Sequence, residues 1–450
     1  MSLQADSDTI AALATPPGRG GICIVRISGP RTLELAGRVA GALPPPRHAA
    51  LRALRGAAGE IIDRGLVLVF PGPDSFTGED VVELHLHGSP VLAALLLRHL
   101  VALGAREAGP GEFTRRAFTN DRIDLAQAEA VADLIESVSA ESARAAMRSL
   151  EGEFSTTVRA IGDEFVRLRV RLEVGMDFPE EGVDDYHDAD LDAHLAALSA
   201  KLETLRGCAD RGRVLRDGLT LVIAGVPNAG KSSLLNRLAG YEAAIVTEEA
   251  GTTRDLVRED ILIDGMPVRV VDTAGLRVAA DGIEAEGIRR ARQAMEQADL
   301  LLLVQDVAAA PRQIPDEMLP AGIPVLHVLN KIDLVGLAAG IVEHSRGGAE
   351  LRLSALTGEG VELLRARLRD LAGYSGEAGG AYSARRRHLD ALQQAADHLA
   401  AARKRLACSA TPELAADELR LAHRALGEIT GEFSTEELLG RIFSEFCIGK

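Results

Sequence analysis

A glycine-rich stretch near the middle of the chain has the residue types and spacing of a phosphate-binding loop. This phosphate loop, Gly225–Ser232, has the sequence GVPNAGKS and directly follows the apolar run Leu219–Ala224. Glycines let backbone N–H groups curl around phosphates, while Lys231 can reach the outer phosphates and Ser232 can offer a hydroxyl to Mg²⁺. A glycine-rich turn that contains Lys-Ser by chance is the alternative, but the strand pattern before the loop and the helical pattern after it favour nucleotide binding. The residues expected to contact the nucleotide here are Asn228, Ala229, Gly230, Lys231, Ser232 and Ser233.

A second segment has the composition of a loop that recognises the nucleotide base. This base loop, Asn330–Asp333, has the sequence NKID and follows the strand pattern Pro324–Leu329, at the carboxyl end of an expected parallel strand. Asp333 can accept two hydrogen bonds from the N1–H and 2-amino groups of guanine, which adenine does not offer, so we expect GTP and not ATP. Taken alone the tetrad is more often the start of a helix; its place behind a phosphate loop favours base recognition. The segment after the next strand, Ser354, Ala355 and Leu356, resembles the backbone support of the base.

Two further segments between these loops predict the metal site and a switch. Asp272, after the strand pattern Val268–Val271, should hold Mg²⁺ through water, and Thr253 can complete the metal site only when the γ-phosphate is present. The segment Thr247–Thr253 is therefore a candidate switch, although without the phosphate loop an ordinary polar loop would be preferred. The expected nucleotide contacts in these segments are Thr247, Glu248, Glu249, Ala250, Gly251, Thr252, Thr253, Asp272, Thr273, Ala274 and Gly275.

The sequence offers a carboxylate as a candidate for the group that orients the attacking water. Leu276 occupies the position at which Ras-like enzymes carry a glutamine, and a leucine cannot orient water. Glu284 is the nearest carboxylate with a plausible reach; a solvated carboxylate at a helix start is an equally good interpretation. No arginine finger is evident from spacing. A monovalent cation held by Asn228 is an alternative source of positive charge, and otherwise Asn228 is a turn residue.

The elements around these segments predict an α/β plus α architecture. Short apolar runs separated by Pro and Gly indicate an N-terminal α/β domain, and helical spacing then dominates from Leu125 to about Leu215. Alternating strand and helix patterns up to about Leu371 indicate a Ras-like nucleotide domain inserted into a discontinuous helical domain. Helical patterning returns at Ala384–Leu406 and Thr411–Leu439. The expected domains are residues 1–121, 122–215, 216–373 and 374–450.

Composition limits the class of protein. The chain has 450 residues, a net charge of −16 and 47% hydrophobic residues, and no apolar run of about 18 residues that a membrane span requires. We therefore expect a protein that does not enter a membrane and that meets RNA only locally or through a second protein. The N-terminus, Met1–Thr9, is polar and carries Asp6 and Asp8, unlike a secretory leader, so we expect the protein to be cytoplasmic. The four cysteines are far apart, so free thiols are expected and not a zinc site.

Three motifs together resemble the MnmE family. They are the N-terminal ATPPGRGG at Ala14–Gly21, the DLAQAEA at Asp124–Ala130 and the final FCIGK at Phe446–Lys450. The resemblance runs the whole length of the chain. It implies a homodimer whose N-terminal domains pair and whose GTPase domains meet across the dimer when K⁺ and GTP bind. It also implies a heterotetramer with the flavoprotein MnmG. The two proteins would together modify tRNA by adding a carboxymethylaminomethyl or aminomethyl group to C5 of the wobble uridine.

The resemblance also implies roles for individual residues. Glu284 would orient the hydrolytic water. The potassium ligands would be Asn228, Thr247, Glu249 and Thr252. A folate one-carbon donor, 5,10-methylene-tetrahydrofolate or a related folate, would be bound by Arg26, Glu83, Arg122 and Lys450, with Arg122 standing where family members are expected to have Lys.

Other interpretations remain open at this point. Cys447 is either a covalent nucleophile or a small apolar residue at a packed helix end. The basic run Arg385–His388 is more often a solvated helix face than a tRNA contact. A ribosome-assembly or signalling GTPase without modification activity is the rival function, and a dimer that GTP merely stabilises is a second. Folate binding by the first 120 residues would argue against the assembly factor.

Overall fold

The protein is described by a computed structural model over residues 8–177, 189–240, 258–272, 295, 298–309, 323–343, 349–374, 380–407, 412–433 and 435–449. The chain divides into two compact units. The first comprises Met1–Ala132, Leu150–Tyr186 and Ala401–Lys450, and the second comprises Asp133–Ser149 and His187–Ala400. Mixed sheets and helices are present, as the sequence predicts, whereas the four domain boundaries and the insertion of one domain into another remain predictions.

The first unit contains a six-stranded sheet with the strand order β3-β4-β5-β2-β1-β6. Neighbouring strands run antiparallel, except that β1 and β6 are parallel. The α/β character expected for this part of the chain is therefore confirmed. The strands are β1 (Ile10–Leu13), β2 (Ile22–Ser28), β3 (Ala50–Arg55), β4 (Ile61–Phe70), β5 (Val81–His87) and β6 (Arg106–Glu107).

Helices α1 (Thr32–Ala40) and α2 (Pro90–Ala102) pack on one face of this sheet. Successive side chains of a strand point to opposite faces, so a half-covered sheet alternates buried and accessible positions. Along β5, Val82 and Leu84 are buried against these helices, while Glu83 on the other face is partly accessible. The face opposite α1 and α2 is thus the one that can receive a ligand or a partner.

Two of the remaining helices of the first unit, α6 (Glu153–Asp177) and α11 (Pro412–Thr430), pack closely against each other. The sequence predicts helical structure across Thr411–Leu439, but the helix breaks at Gly431. Gly431 has φ +91°, and a Cβ there would lie 2.9 Å from the Phe118 ring, so the close approach requires glycine. Thr435 then caps the next helix by accepting a hydrogen bond from the Leu438 N–H. These helices are α3 (Glu112–Thr119), α6 (Glu153–Asp177), α11 (Pro412–Thr430) and α12 (Glu436–Ser444).

The second unit contains a seven-stranded sheet with the order β12-β13-β11-β10-β7-β9-β8. Its five central strands are parallel, as predicted, whereas the two edge strands β8 and β12 are antiparallel to their neighbours. The carboxyl ends of the parallel strands meet at one edge, where ligands of such sheets bind. The strands are β7 (Leu219–Ala224), β8 (Arg258–Ile263), β9 (Met266–Asp272), β10 (Leu300–Asp306), β11 (Val325–Asn330), β12 (Gly340–Glu343) and β13 (Ala349–Arg352).

Helices pack on this sheet through a buried core that includes Leu221 of β7, Leu234 of α8 and Leu364 of α9. A short 3₁₀ turn, Ile332–Leu334, follows β11. The helices of this unit are α5 (Ala140–Leu150), α7 (Ala189–Asp217), α8 (Lys231–Ala239) and α9 (Val361–Leu371). Helices α4 (Leu125–Glu136) and α10 (Arg386–Ala407) each contain a boundary between the two units, and the last residue of α5, Leu150, belongs to the first unit.

Candidate functional site

The phosphate loop connects β7 to α8, as the sequence predicts. Gly225 has φ +155°, and a Cβ there would lie 2.2 Å from the Val304 carbonyl oxygen. Gly230 has φ +92°, and a Cβ there would lie 2.2 Å from Asn330 Nδ2. Both positions therefore require glycine. Asn228 at the exposed top of the loop adopts φ +64°, a conformation that asparagine tolerates better than most residues.

Lys231 begins α8 and is buried within the phosphate loop. Its Nζ donates hydrogen bonds to the carbonyl oxygens of Gly225 at 2.8 Å and Val226 at 3.1 Å. The ammonium group thus lies on the inner side of the loop, where phosphate oxygens could exchange with these carbonyls. The next residues, Ser232 and Ser233, are exposed in the first turn of α8.

The base loop is joined directly to the phosphate loop through Asn330. The Asn330 side chain is buried, and its Nδ2 donates to the Ala229 carbonyl oxygen at 2.8 Å. Its Oδ1 accepts from the backbone N–H groups of Lys331 at 2.8 Å and Ala355 at 2.9 Å. One side chain therefore fixes three segments that the sequence assigned to nucleotide binding. Asp333 is exposed in the 3₁₀ turn, where its carboxylate is open to a ligand.

The segment Ser354, Ala355 and Leu356 lies next to α8. Arg237 of α8 donates from Nε to the Ala355 carbonyl oxygen at 3.2 Å, and from its terminal nitrogen to the Leu356 carbonyl oxygen. The Ser354 hydroxyl is buried and accepts from the Thr357 N–H at 3.2 Å. An open cavity of about 470 Å³ lies here, lined by Ser233, Asn236, Arg237, Gly240, Ala355 and Leu356. Sequence reasoning missed Arg237, because nothing local distinguishes a helix-surface arginine from one that holds a loop more than a hundred residues away.

Part of the expected nucleotide site lies outside the described residues. The main chain of Asp272 pairs with Ile223 at the end of β7, beside the phosphate loop, but its side chain is not among those described. The other predicted residues outside the described ranges are Thr247, Glu248, Glu249, Ala250, Gly251, Thr252, Thr253, Thr273, Ala274, Gly275, Glu284 and Lys450.

The first unit brings together two of the residues expected to bind folate. Arg26 of β2 and Glu83 of β5 are directly opposite in the antiparallel pair, and Arg26 Nε and a terminal nitrogen donate to Glu83 Oε1 at 3.1 and 2.9 Å. The guanidinium carbon of Arg26 lies 5.7 Å from the centroid of the Phe113 ring and 6.0 Å from that of Phe76. Arg122 is exposed and close to Gly78, so that a Cβ on Gly78 would lie 3.2 Å from Arg122 Cγ.

The C-terminal segment packs against the same unit. Ile448 forms a β-bridge with Pro110, and the Gly111 N–H donates to the Cys447 carbonyl oxygen at 3.2 Å. Gly449 has φ +96°, and a Cβ there would lie 2.1 Å from the Leu13 carbonyl oxygen. The final motif is therefore held near the start of the glycine-rich segment that follows β1.

Three of the four cysteines are described, and all three are free thiols, as predicted. The Cys447 side chain is exposed, whereas burial raises the pKa of the Cys23 thiol. Cys408 lies outside the described residues.

Arg385, the first residue of the basic run Arg385–His388, is not a solvated charge. Arg385 donates to Asp133 Oδ1 at 3.0 Å, and this carboxylate also accepts from Arg216 Nε at 2.7 Å and from Ser383 Oγ at 2.5 Å. Asp133 is buried, so Arg385 has a structural partner inside the second unit. Arg386 remains exposed.

Comparisons with known proteins agree over nearly the whole chain. The family model for the MnmE helical domain matches residues 125–447, and the model for the GTP-binding protein TrmE N-terminus matches residues 9–122. The tRNA modification GTPase MnmE of Alkalilimnicola ehrlichii is 55% identical over 444 residues, which cover 98% of this chain and 99% of that protein. The protein of the same name from Stutzerimonas stutzeri is 53% identical over 450 residues, with the same coverage of 98% and 99%.

Among solved structures, the G domain of the FeoB iron transporter of T. maritima is 25% identical, covers 34% of this chain and 98% of its own, and has a TM-score of 0.27. No helix within the described ranges is both long and apolar enough to span a membrane.

Proposed function

The chain belongs to the MnmE family of tRNA modification GTPases, and from this premise we propose that it is a potassium-assisted GTP hydrolase that acts on the wobble uridine of tRNA. In this proposal it adds a carboxymethylaminomethyl or aminomethyl group to C5, together with the flavoprotein MnmG and a folate one-carbon donor. The observation that carries the nucleotide part is the Asn330 side chain, which joins the phosphate loop to the base loop.

Guanine recognition is assigned to Asp333. Its exposed carboxylate belongs to the last residue of the base loop, at the carboxyl edge of the parallel sheet, and the Asn330 bonds fix the start of that loop. A carboxylate accepts hydrogen bonds from the N1–H and 2-amino groups of guanine and cannot do so with adenine. The phosphates then extend towards Lys231 and the N-terminus of α8, whose dipole favours negative charge.

The metal ions are assigned by the chemistry of the oxygen donors. Mg²⁺ prefers oxygen ligands, and Ser232, Thr253 and Asp272 supply a hydroxyl, a second hydroxyl and a carboxylate. The Ser232 hydroxyl is exposed beside Lys231, which leaves it accessible. Bound Mg²⁺ would neutralise charge on the phosphates.

Potassium would be held by the exposed amide of Asn228, which lies at the top of the phosphate loop, with Thr247, Glu249 and Thr252. Its positive charge would take the place of an arginine finger. Glu284 would hold the attacking water in the absence of a glutamine after Gly275. These assignments depend on switch residues outside the described ranges and on the family resemblance.

The folate donor is assigned to the face of the first sheet that carries Arg26 and Glu83. A forked guanidinium matches a carboxylate or the donor and acceptor edge of a pterin, and the nearby Phe76 and Phe113 rings favour its charge. Arg122 and Lys450 would add positive charge for the glutamate carboxylates of the folate.

The same face supports pairing of N-terminal domains in a homodimer. Ile22 on β2, Leu51 on β3 and Leu66 on β4 are 65%, 62% and 42% exposed and lie on this face of the sheet. Apolar side chains grouped on an open sheet face are typical of a protein interface. A second copy of the chain would cover them.

Folate binding tests the N-terminal assignment. Titration of the full chain with tetrahydrofolate should give saturable binding, and Arg26→Gln should weaken it by about tenfold, because a charge-assisted hydrogen bond is lost. Arg64→Gln, an exposed arginine on the same face, is the matched control and should bind as the wild type does. An assembly or signalling GTPase would hydrolyse GTP without binding folate at all.

Reconstitution tests the whole function. Purified chain, the family flavoprotein, unmodified tRNA, GTP and methylene-tetrahydrofolate should together give a C5-substituted wobble uridine, measured by mass spectrometry of digested tRNA. Omission of GTP or of the chain should abolish the product. Product formation without the chain would contradict the proposal.

A further inference from the structure

Asp306 is the last residue of β10 and lies directly opposite Asn330 in the parallel pair with β11. We propose that Asp306 is a positioning residue for guanine recognition: it holds the Lys331 side chain and, through the base loop, the Asp333 carboxylate. No sequence motif includes this aspartate. The inference rests on the proposed function, because it concerns the same nucleotide site.

Both carboxylate oxygens of Asp306 are engaged. Lys331 Nζ donates to Oδ2 at 2.7 Å, and the backbone N–H of Ala308 donates to Oδ1 at 2.9 Å. The Asp306 side chain is 17% exposed and that of Lys331 is 31% exposed. The Lys331 ammonium group and the Ala308 N–H hold the pKa of Asp306 below its usual range, so the carboxylate is charged near neutral pH.

The Lys331 side chain is fixed at both ends. Its backbone has φ +69°, an uncommon conformation for a residue other than glycine, and its N–H donates to Asn330 Oδ1. Lys331 Cε lies 4.0 Å from the position that a Cβ on Gly230 would occupy. The alkyl chain therefore passes the end of the phosphate loop before it reaches Asp306.

Asp333 depends on this arrangement for its direction. Within the part of the chain that the structure describes, its carboxylate has no hydrogen bond or ion pair, so only the backbone of the 3₁₀ turn orients it. That turn begins at Lys331, whose carbonyl oxygen accepts from the Leu334 N–H at 3.0 Å. Release of Lys331 from Asp306 would loosen the start of the turn and so the carboxylate that meets the base.

Binding of GDP and of inosine diphosphate, which lacks the 2-amino group, tests this role. In titration calorimetry on the full chain, the wild type should prefer GDP by at least about tenfold, because a carboxylate left without its partner is costly. Asp306→Asn retains the shape and the acceptor for Ala308 but removes the charge. It should lower the preference for GDP over inosine diphosphate by about fivefold, mostly by weakening the binding of GDP. A loss of this size is expected when one partly exposed ion pair is removed.

Two variants secure the comparison. Asp299→Asn alters an aspartate that directly precedes β10, at the other end of the strand from Asp306, and that accepts from the Thr220 N–H at 2.9 Å. It should leave the preference for GDP unchanged. If Asp306→Asn does not fold, Asp306→Ser replaces it, since a serine hydroxyl can also accept from Ala308. If the wild type prefers GDP and the folded Asp306 variant shows the same ratio of GDP to inosine diphosphate affinity, the role of Asp306 is overturned while the guanine site stands. Equal binding of both nucleotides by the wild type would overturn the guanine site, and this inference with it.

Discussion

The side-chain amide of Asn330 donates a hydrogen bond to the carbonyl oxygen of Ala229 over 2.8 Å. The two residues are 101 positions apart in the chain, and the bond joins the base loop to the phosphate loop. Because Asn330 is almost fully buried, this bond and the two that its Oδ1 accepts are shielded from water. One buried side chain therefore joins the base loop directly to the phosphate loop.

Substitution of Asn330 should separate the two loops. Asn330→Ala leaves the Ala229 carbonyl and the Ala355 N–H without partners, at a cost of about 2 kcal/mol or more. We expect affinity for GDP to fall by roughly 30-fold, measured by titration calorimetry. Asn120→Ala removes a similar amide-to-carbonyl bond, to Thr77 at 2.7 Å in the first unit, and should not change GDP affinity. Equal GDP affinity in the Asn330 variant and the wild type would contradict the joining role.

Gly230 should tolerate no side chain. Gly230→Ala combines φ +92° with a Cβ 2.2 Å from Asn330 Nδ2, and we expect it to abolish measurable GDP binding. Gly373→Ala is the matched control, since it has φ +66° with no atom within 4 Å of the new Cβ. It should cost only about 1 kcal/mol of backbone strain and keep GDP binding. If both variants bind GDP alike, Gly230 tolerates a side chain and the prediction is wrong.

The buried carboxylate of Asp133 should be a major source of stability in the second unit. Asp133→Ala would leave the Arg216 and Arg385 guanidinium groups without their shared partner. The cost should lie below the ~3–5 kcal/mol of a fully buried pair, because Arg216 keeps its ion pair with Asp217. We expect a clear fall in the urea midpoint of the unfolding step assigned to this unit. Asp260→Ala breaks an exposed ion pair with Arg269. It should lower the free energy of unfolding by less than about 1 kcal/mol and so move the urea midpoint only slightly. Similar midpoints for the two variants would show that the bonds from Arg216 and Arg385 to Asp133 contribute little to the stability of this unit.

The first unit should lose stability at low pH because the Glu112 carboxylate becomes protonated. Burial alone would raise the pKa of Glu112, but hydrogen bonds from Arg106, the Gly109 N–H and Arg116 lower it below its usual range. A carboxyl group with a depressed folded-state pKa stabilises the fold above its unfolded pKa of about 4.3, and this contribution is lost as the pH falls below that value. Thermal melting between pH 7 and pH 3.5 should therefore show a steeper acid loss for wild type than for Glu112→Gln.

The matched control for this pH series is Glu107→Gln, which alters the exposed glutamate of β6. Its melting temperature should follow that of the wild type at every pH. Parallel acid curves for the wild type and Glu112→Gln would mean that the Arg106 and Arg116 contacts do not contribute.

The parts of the site that sequence could predict are those encoded by local pattern. The phosphate loop and the base loop each follow a strand, and β7 has the predicted bounds, because apolar runs and glycine spacing are written in consecutive residues. The end of the helix at Gly431 was missed, since the polar and apolar spacing continues through it and only the approach of Phe118 requires glycine there.

The parts that sequence could not predict depend on pairing across long separations. Arg237 meets Leu356 from 119 residues away, Lys331 meets Asp306 from 25, and Arg385 meets Asp133 from 252. The residues that neighbour an arginine or aspartate in the sequence do not indicate which distant residue it will bond. For this reason Arg385 resembled a solvated charge in the sequence and is a partner of a buried carboxylate in the fold.

The GTP hydrolysis rate in potassium, compared with the same concentration of sodium, tests the central claim most directly. A cation at Asn228 should raise the rate in potassium by at least tenfold, because an added positive charge between the phosphates stabilises the transition state by more than about 1.4 kcal/mol. Asn228→Ala should remove the difference between the salts while leaving slow basal turnover. Equal rates of the wild type in potassium and in sodium would contradict the account.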